Sequence, residues 1–187
     1  MGPVSNRMEQ NNPLDFEGVV HQEANKVFNL AYRLCGNQEE AKDIAQETFV
    51  RAFEHLERFR GSCRTFTYLY RITFNVWKNR LRHQSRHPAF SLHSPDPEKP
   101  DFSPADPKPS PDQAFALDER AGLVRSCLDS LDPVSRLVII LRDMEGKSYQ
   151  EIARIMKCRL GTVKSRLARA RTDLREKIRP HLERMQK

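Results

Sequence analysis

Eight of the chain's twelve prolines fall within residues 88–111: Pro88, Pro95, Pro97, Pro100, Pro104, Pro107, Pro109 and Pro111. Proline lacks a backbone N–H and its ring clashes with the preceding turn, so this stretch cannot hold a helix. With Ser and Asp between the prolines, residues 85–111 are expected to form a flexible linker of extended, proline-stiffened chain. The chain is thereby divided into residues 14–84 and 112–187, behind a polar N-terminal stretch, 1–13, expected to be mobile. At 187 residues and 38% hydrophobic composition it can bury one or two small cores, and the proline block favours two compact units.

Charge follows the same division. Net charge is +7; Lys and Arg less Asp and Glu gives +8 for residues 58–87, which hold no acid, −5 for 88–119 and +7 for 158–187. Two basic patches imply two contacts with a polyanion. The acidic linker between them either lies in a cationic channel of a partner or serves as a passive tether. No apolar run approaches the ~20 residues of a membrane-spanning helix, and the N-terminus lacks a basic region, apolar stretch and cleavage site in succession. A cytoplasmic protein is expected. Cys35, Cys63, Cys127 and Cys158 are scattered singly, which reads as small buried residues or incidental thiols. His83 and His87 stand one helical turn apart without a Cys or carboxylate close in sequence, so no metal and no cofactor is expected.

In the second unit, Asp112 reads as the cap of a helix with Ala114, Leu117, Ala121, Val124, Leu128 and Leu131 inward. Asp132-Pro133 opens another, a capping residue before proline at the first helical position. Val134, Leu137, Val138, Ile140 and Leu141 give it a broad apolar face, and Gly146 closes it. Ser148 with Glu151 forms a capping box that starts a short helix with Ile152, Ala153 and Met156 inward. Gly161 before Thr162 is expected to make the turn into a last helix, whose Val163, Leu167, Ala170, Leu174 and Ile178 form one buried stripe. At 100° per residue from Val163, Thr162, Ser165 and Arg169 lie on the opposite face, with Lys164 and Arg166 on its flanks. Two helices, a tight turn and a cationic second helix are the pattern of a helix-turn-helix DNA reader, with the first three residues facing bases and the other two phosphates.

The first unit opens with Asp15 as cap and Phe16, Val20, Val27, Leu30, Ala31 and Leu34 inward, and Gly36 ends that helix. Asn37 with Glu40 is expected to form a second capping box, opening a helix whose apolar side is Ala41, Ile44, Ala45, Thr48, Phe49, Ala52, Phe53 and Leu56. Asp43, Gln46, Glu47, Val50 and Glu54 lie elsewhere around it, a mainly acidic surface. After a loop from Phe59 to Thr65, a third helix, 66–82, turns Phe66, Leu69, Tyr70, Thr73, Trp77 and Leu81 to the core. Arg71, Asn75, Lys78 and Arg82 share its other face with Tyr68. Such a face can hold phosphates, stack on an unpaired base and read a base edge.

In this order the segments resemble the extracytoplasmic-function sigma factors, promoter-recognition subunits of bacterial RNA polymerase. The resemblance rests on residues 43–53, Phe59-Arg-Gly61, Tyr70-Arg-Ile72 with Asn75, and residues 161–166. It implies an all-α chain of two small helical domains, a region-2-like one (14–84) and a region-4-like helix-turn-helix (112–187). Asp43, Gln46, Glu47 and Val50 would dock on the clamp of the polymerase's largest subunit. Phe59, Arg60, Gly61, Ser62, Cys63, Arg64 and Thr65, with Tyr68 and Asn75, would capture a flipped base of the −10 element, while Arg71, Lys78 and Arg82 hold the strand. Arg159, Leu160, Thr162, Lys164, Ser165, Arg166 and Arg169 would meet the −35 element. Such factors catalyse nothing themselves, and control by a separate anti-sigma protein is expected, which in membrane-bound form would hold the chain at the inner membrane. The competing reading is a conventional helix-turn-helix regulator. A DNA-cleaving enzyme would need a carboxylate cluster or an activated serine, and residues 58–87 contain no acid.

Overall fold

The structure, a computed structural model, describes residues 16–55, 65–86 and 111–185. Among these residues there are seven α-helices and no strand: α1 (Phe16–Cys35), α2 (Gln38–Glu54), α3 (Thr65–Arg86), α4 (Pro111–Asp129), α5 (Pro133–Ile139), α6 (Tyr149–Ile155) and α7 (Leu160–Met185). A π-helical turn, Ile140–Met144, continues α5. The N-terminal stretch with Asp15, the residues around Leu56, and linker positions 87–110 lie outside the described residues. Ser85, Arg86 and Pro111, assigned to the linker from sequence, belong to α3 and α4. Asp112 likewise falls inside α4, which starts one residue earlier.

Helices α1, α2 and α3 pack on one another. Helix α1 buries Val27, Leu30, Ala31 and Leu34, and stops where Gly36 takes φ +80, a left-handed conformation costly to residues with a Cβ. Asn37 then caps α2, its Oδ1 accepting from the Glu40 N–H at 2.9 Å. Two threonines are buried between α2 and α3 without loss, because each hydroxyl donates to the carbonyl one turn back: Thr48 to Ile44 at 2.7 Å and Thr73 to Leu69 at 2.9 Å. Trp77 and Tyr70 are the largest fully buried side chains.

In the second half α5 is buried almost all round, with Leu137, Val138, Ile139, Ile140 and Leu141 in one run. The π turn accommodates this: the Glu145 N–H reaches the Ile140 carbonyl, five residues back, at 2.9 Å. Val163, Leu167 and Ala170 of α7 close over it, as their spacing predicts. The buried apolar cluster is continuous, running from Leu30, Tyr70 and Trp77 to Leu137, Ile140, Ile152 and Leu167.

Two expectations fail. Phe53, placed inward by spacing, is 62% exposed; it lies at the edge of the stripe, its ring 5.3 Å from that of Phe16 between centroids. Ala121 and Val124 of α4 are exposed, and Cys127, Leu128 and the following Leu131 carry the burial instead. Arg136 of α5, on which the sequence reading made no statement, is 7% exposed.

Asp132 caps α5 through Oδ1, which accepts from the Val134 N–H at 2.9 Å and the Ser135 N–H at 3.1 Å. Burial alone would raise its carboxyl, but the Ser135 and Val134 bonds, helped by the Arg166 charge, outweigh it and hold the group below its ordinary 3.8. A lowered folded-state value means the cap's contribution is present above the unfolded value and is lost as pH falls through the folded one. Asp132→Ala is expected to cost about 1 kcal/mol in urea unfolding at neutral pH. The gap should narrow in acid; a gap of unchanged size would show that the carboxylate is not its source.

Candidate nucleic-acid and partner interface

Both arms of the α6 capping box form: the Glu151 N–H donates to Ser148 Oγ at 3.2 Å and the Ser148 N–H donates to Glu151 Oε2 at 2.9 Å. The turn that follows is not made by Gly161. Lys157 takes the left-handed conformation, φ 48, while the Cys158 N–H reaches back to the Ala153 carbonyl at 3.0 Å and the Lys157 N–H to Arg154 at 3.4 Å. These two bonds define a Schellman ending of α6, with a lysine where glycine is usual. Gly161 sits in the first turn of α7, and a Cβ there would meet nothing within 4 Å.

Arg159, Leu160, Lys164, Ser165 and Arg169 are exposed along the start of α7, and Thr162 and Arg166 are half-buried. An exposed leucine at 40% beside four cations is a surface able to meet both a base methyl and phosphates. Arg171 fixes the helix against the π turn, its Nε donating to Asp143 Oδ2 at 3.1 Å, and this bond raises the guanidinium's pKa.

On α3, Asn75 and Arg82 are exposed and Lys78 is half-buried, its Nζ 5.9 Å from the Phe74 ring centroid. Tyr68 is half-buried against Val27, Ala52 and Leu69. Arg71 points to the other half of the molecule: its Nη2 donates to the Arg154 carbonyl at 2.7 Å and its Nε to the Ile155 carbonyl at 3.3 Å. Thr65 opens the helix, half-buried. Phe59, Arg60, Gly61, Ser62, Cys63 and Arg64 lie outside the described residues.

On α2, Asp43, Gln46 and Val50 are exposed, whereas Glu47 is half-buried in a cluster of charges. Arg80 of α3 binds Glu47 Oε2 at 2.9 Å and approaches Asp43 at 3.7 Å, and Arg51 binds Glu47 Oε1 at 2.6 Å. Sequence reasoning missed Arg80 and assigned Phe53 to the core. Together they give the acidic face a cationic brace and, with Val50 at 51% exposure, an apolar rim. The Cys35 thiol is pushed up to about 12, first by burial, although it donates to the Asn37 carbonyl at 3.2 Å. Among the described residues no three His, Cys, Asp or Glu side chains gather as a metal site, and no helix is long and apolar enough to cross a membrane.

Residues 19–87 match the family model of Sigma-70 region 2 and residues 121–174 that of Sigma-70, region 4. The chain is 35% identical over 179 residues to the RNA polymerase sigma-H factor of Pseudomonas aeruginosa, covering 94% of this chain and 92% of that protein. It is 34% identical over 180 residues to the ECF RNA polymerase sigma-E factor of Escherichia coli, covering 95% and 94%. With ECF RNA polymerase sigma factor SigE of Mycolicibacterium smegmatis it shares 39% over 168 residues, 89% of this chain but only 62% of that one. In fold it is similar to the sigma factor RpoE solved in complex with the anti-sigma factor NepR from Bartonella quintana, with TM-score 0.66, 23% identity and coverage of 88% and 97%. CnrH in complex with the cytosolic domain of CnrY matches at TM-score 0.60 and 24% identity, covering 88% of this chain and 87% of that one. The chain belongs to the extracytoplasmic-function sigma factors of RNA polymerase.

Proposed function

We propose that the chain binds core RNA polymerase and directs it to a distinct set of promoters, supplying binding energy and no chemistry of its own, in the cytoplasm. The observation that carries this reading is the pairing, on one chain, of an exposed cationic recognition helix with a separate basic helix bearing an exposed amide. Residues 14–84 contribute the polymerase contact, through Asp43, Gln46, Glu47 and Val50. They also read and melt the −10 element, through Tyr68, Asn75, Lys78 and Arg82 with Arg71 once it is free. The segment from Phe59 to Thr65 completes that site. Residues 112–187 read the −35 element, with Thr162, Ser165 and Arg169 on base edges, Lys164 and Arg166 on phosphates, and Arg159 and Leu160 at the rim. The acidic linker between α3 and α4, 87–110, occupies a cationic channel of the polymerase. A separate anti-sigma protein, at the inner membrane when it is itself membrane-bound, controls the chain; the solved relatives held by such proteins support this.

Core polymerase is expected to retain the chain on a sizing column, and Val50→Glu to lower that affinity at least tenfold, since it buries a charge in the apolar rim of the contact. A chain that does not co-elute, yet leaves a sequence-specific footprint on duplex DNA by itself, would support the conventional regulator instead.

A further inference from the structure

Val50 and Phe53, each more than half exposed, stand one turn apart on α2. Among the described residues no other helix shows two large apolar side chains this exposed within a turn of each other, and apolar surface gathered in this way marks a place that a partner covers. The Phe53 ring lies 5.3 Å from that of Phe16, the first residue of α1, and Phe16 meets Phe49 edge-on at 6.5 Å. The three rings form a shelf whose outermost member is Phe53. With Val50 at zero and 100° per residue, Asp43, Gln46 and Phe53 fall at about +20°, −40° and −60°, on one stripe about 15 Å long. All four residues are exposed. The stripe is polar at one end, where Asp43 is 67% exposed and the Arg80 guanidinium, at 3.7 Å, is too far for a hydrogen bond, and aromatic at the other.

Glu47 differs from these four. It stands at the edge of the stripe, about 60° round from Val50, and each of its carboxylate oxygens already meets a guanidinium. Oε2 accepts from Arg80 Nη2 at 2.9 Å and Nε at 3.3 Å, and Oε1 pairs with Arg51 at 2.6 Å. A partner's cation could take this carboxylate only by displacing an arginine. Arg80 belongs to α3, so its bond fixes how α2 is turned against α3. The same crossing holds a buried contact between the Thr48 and Thr73 hydroxyls at 3.4 Å. Around α3, Arg80 lies about 140° from Asn75, away from the face assigned to DNA.

We propose that core polymerase meets α2 along the ridge Asp43, Gln46, Val50 and Phe53, with Phe53 as its apolar anchor, and that Glu47 is a positioning residue, held by Arg80 and Arg51 to fix the bearing of that ridge. This assignment rests on the sigma-factor reading above and changes the part of Glu47 in it. The matching surface of the polymerase presents an apolar pocket for the ring and, about 15 Å along, a cation for Asp43.

Binding of the full-length chain to core polymerase, read by fluorescence anisotropy, tests both parts, with helical dichroism and urea midpoint as checks on folding. Phe53→Ala should weaken binding roughly 30-fold, the loss typical of an interface anchor, and Phe53→Leu should recover most of it. The urea midpoint should move little, because the ring is exposed. Arg80→Met should weaken binding about three- to fivefold, as expected for a part-exposed ion pair, and Arg80→Lys should restore part of the loss. Glu47→Gln should add nothing to Arg80→Met, since both remove one interaction. If Glu47 touched the polymerase, Arg80→Met would instead tighten binding by releasing the carboxylate, and Glu47→Gln would weaken it in either background; each of these results overturns the positioning role. Phe53→Ala equal to wild type overturns the anchor. A wild-type chain that does not bind core polymerase overturns the sigma-factor reading itself, a result distinct from any difference between variants.

Discussion

Trp77→Ala is expected to lower the unfolding free energy by about 3–5 kcal/mol, a large part of the 5–15 kcal/mol typical of a domain. Trp77 is 1% exposed, packs on Phe74 with centroids 5.9 Å apart, and lies under the Arg136 guanidinium at 5.2 Å. Removing the indole leaves a cavity in the continuous core and takes away the aromatic face on which a buried cation rests. Arg136 can be buried only because its other contacts are complete: Nε donates to the Leu128 carbonyl at 3.0 Å, and Asp129 pairs with it at 3.0 Å. Burial still lowers the guanidinium's pKa and raises that of Asp129, each against the pull of the other. Urea unfolding followed by far-ultraviolet dichroism reads the loss as a fall in midpoint. A decrease below about 1 kcal/mol, the range of a surface change, would mean that the indole is not a keystone of the core.

Asn75→Ala should leave stability within error, since the side chain is exposed, and yet reduce open promoter complexes about 10- to 100-fold. A side-chain amide can exchange two hydrogen bonds with a base edge, and loss of such a pair costs about 1–3 kcal/mol of discrimination. Binding to the −35 duplex should not change, because Asn75 is on α3 and the recognition residues are on α7. Permanganate reactivity of unpaired thymines measures the opening step, and unaltered reactivity would refute the assignment of Asn75.

Much of the fold was legible because caps and stripes are local. Asn37, Asp132 and the Ser148–Glu151 box announce their helices by residue type and spacing, and each cap's side-chain oxygen accepts from a first-turn N–H; both arms of the box are shown at Ser148–Glu151, and the Asn37 arm alone at Asn37–Glu40. What was not legible depends on partners distant in sequence. Arg136 looks like surface until Leu34, a hundred and two residues earlier, supplies a carbonyl. Arg71 has the spacing of a DNA contact, and only the approach of α6 shows that its guanidinium is bonded to the Arg154 carbonyl. Phe53 sits one position too far around α2 for a core that ends at Ala52. Gly161 misled because glycine is the usual left-handed residue, while the geometry of the α6 ending selects the position and tolerates Lys157 there. On α7 the helical period alone placed Val163, Leu167 and Ala170 inside and Lys164, Ser165 and Arg169 outside.

The central claim is that this chain confers promoter choice on a polymerase that lacks it. Core RNA polymerase incubated with the purified chain and fragmented genomic DNA, with transcript starts mapped, tests this directly. Initiation is expected at a distinct set of promoters sharing elements near −35 and −10, absent with either component alone. No initiation at any genomic promoter, with both proteins folded and active polymerase shown by a control factor, would contradict it.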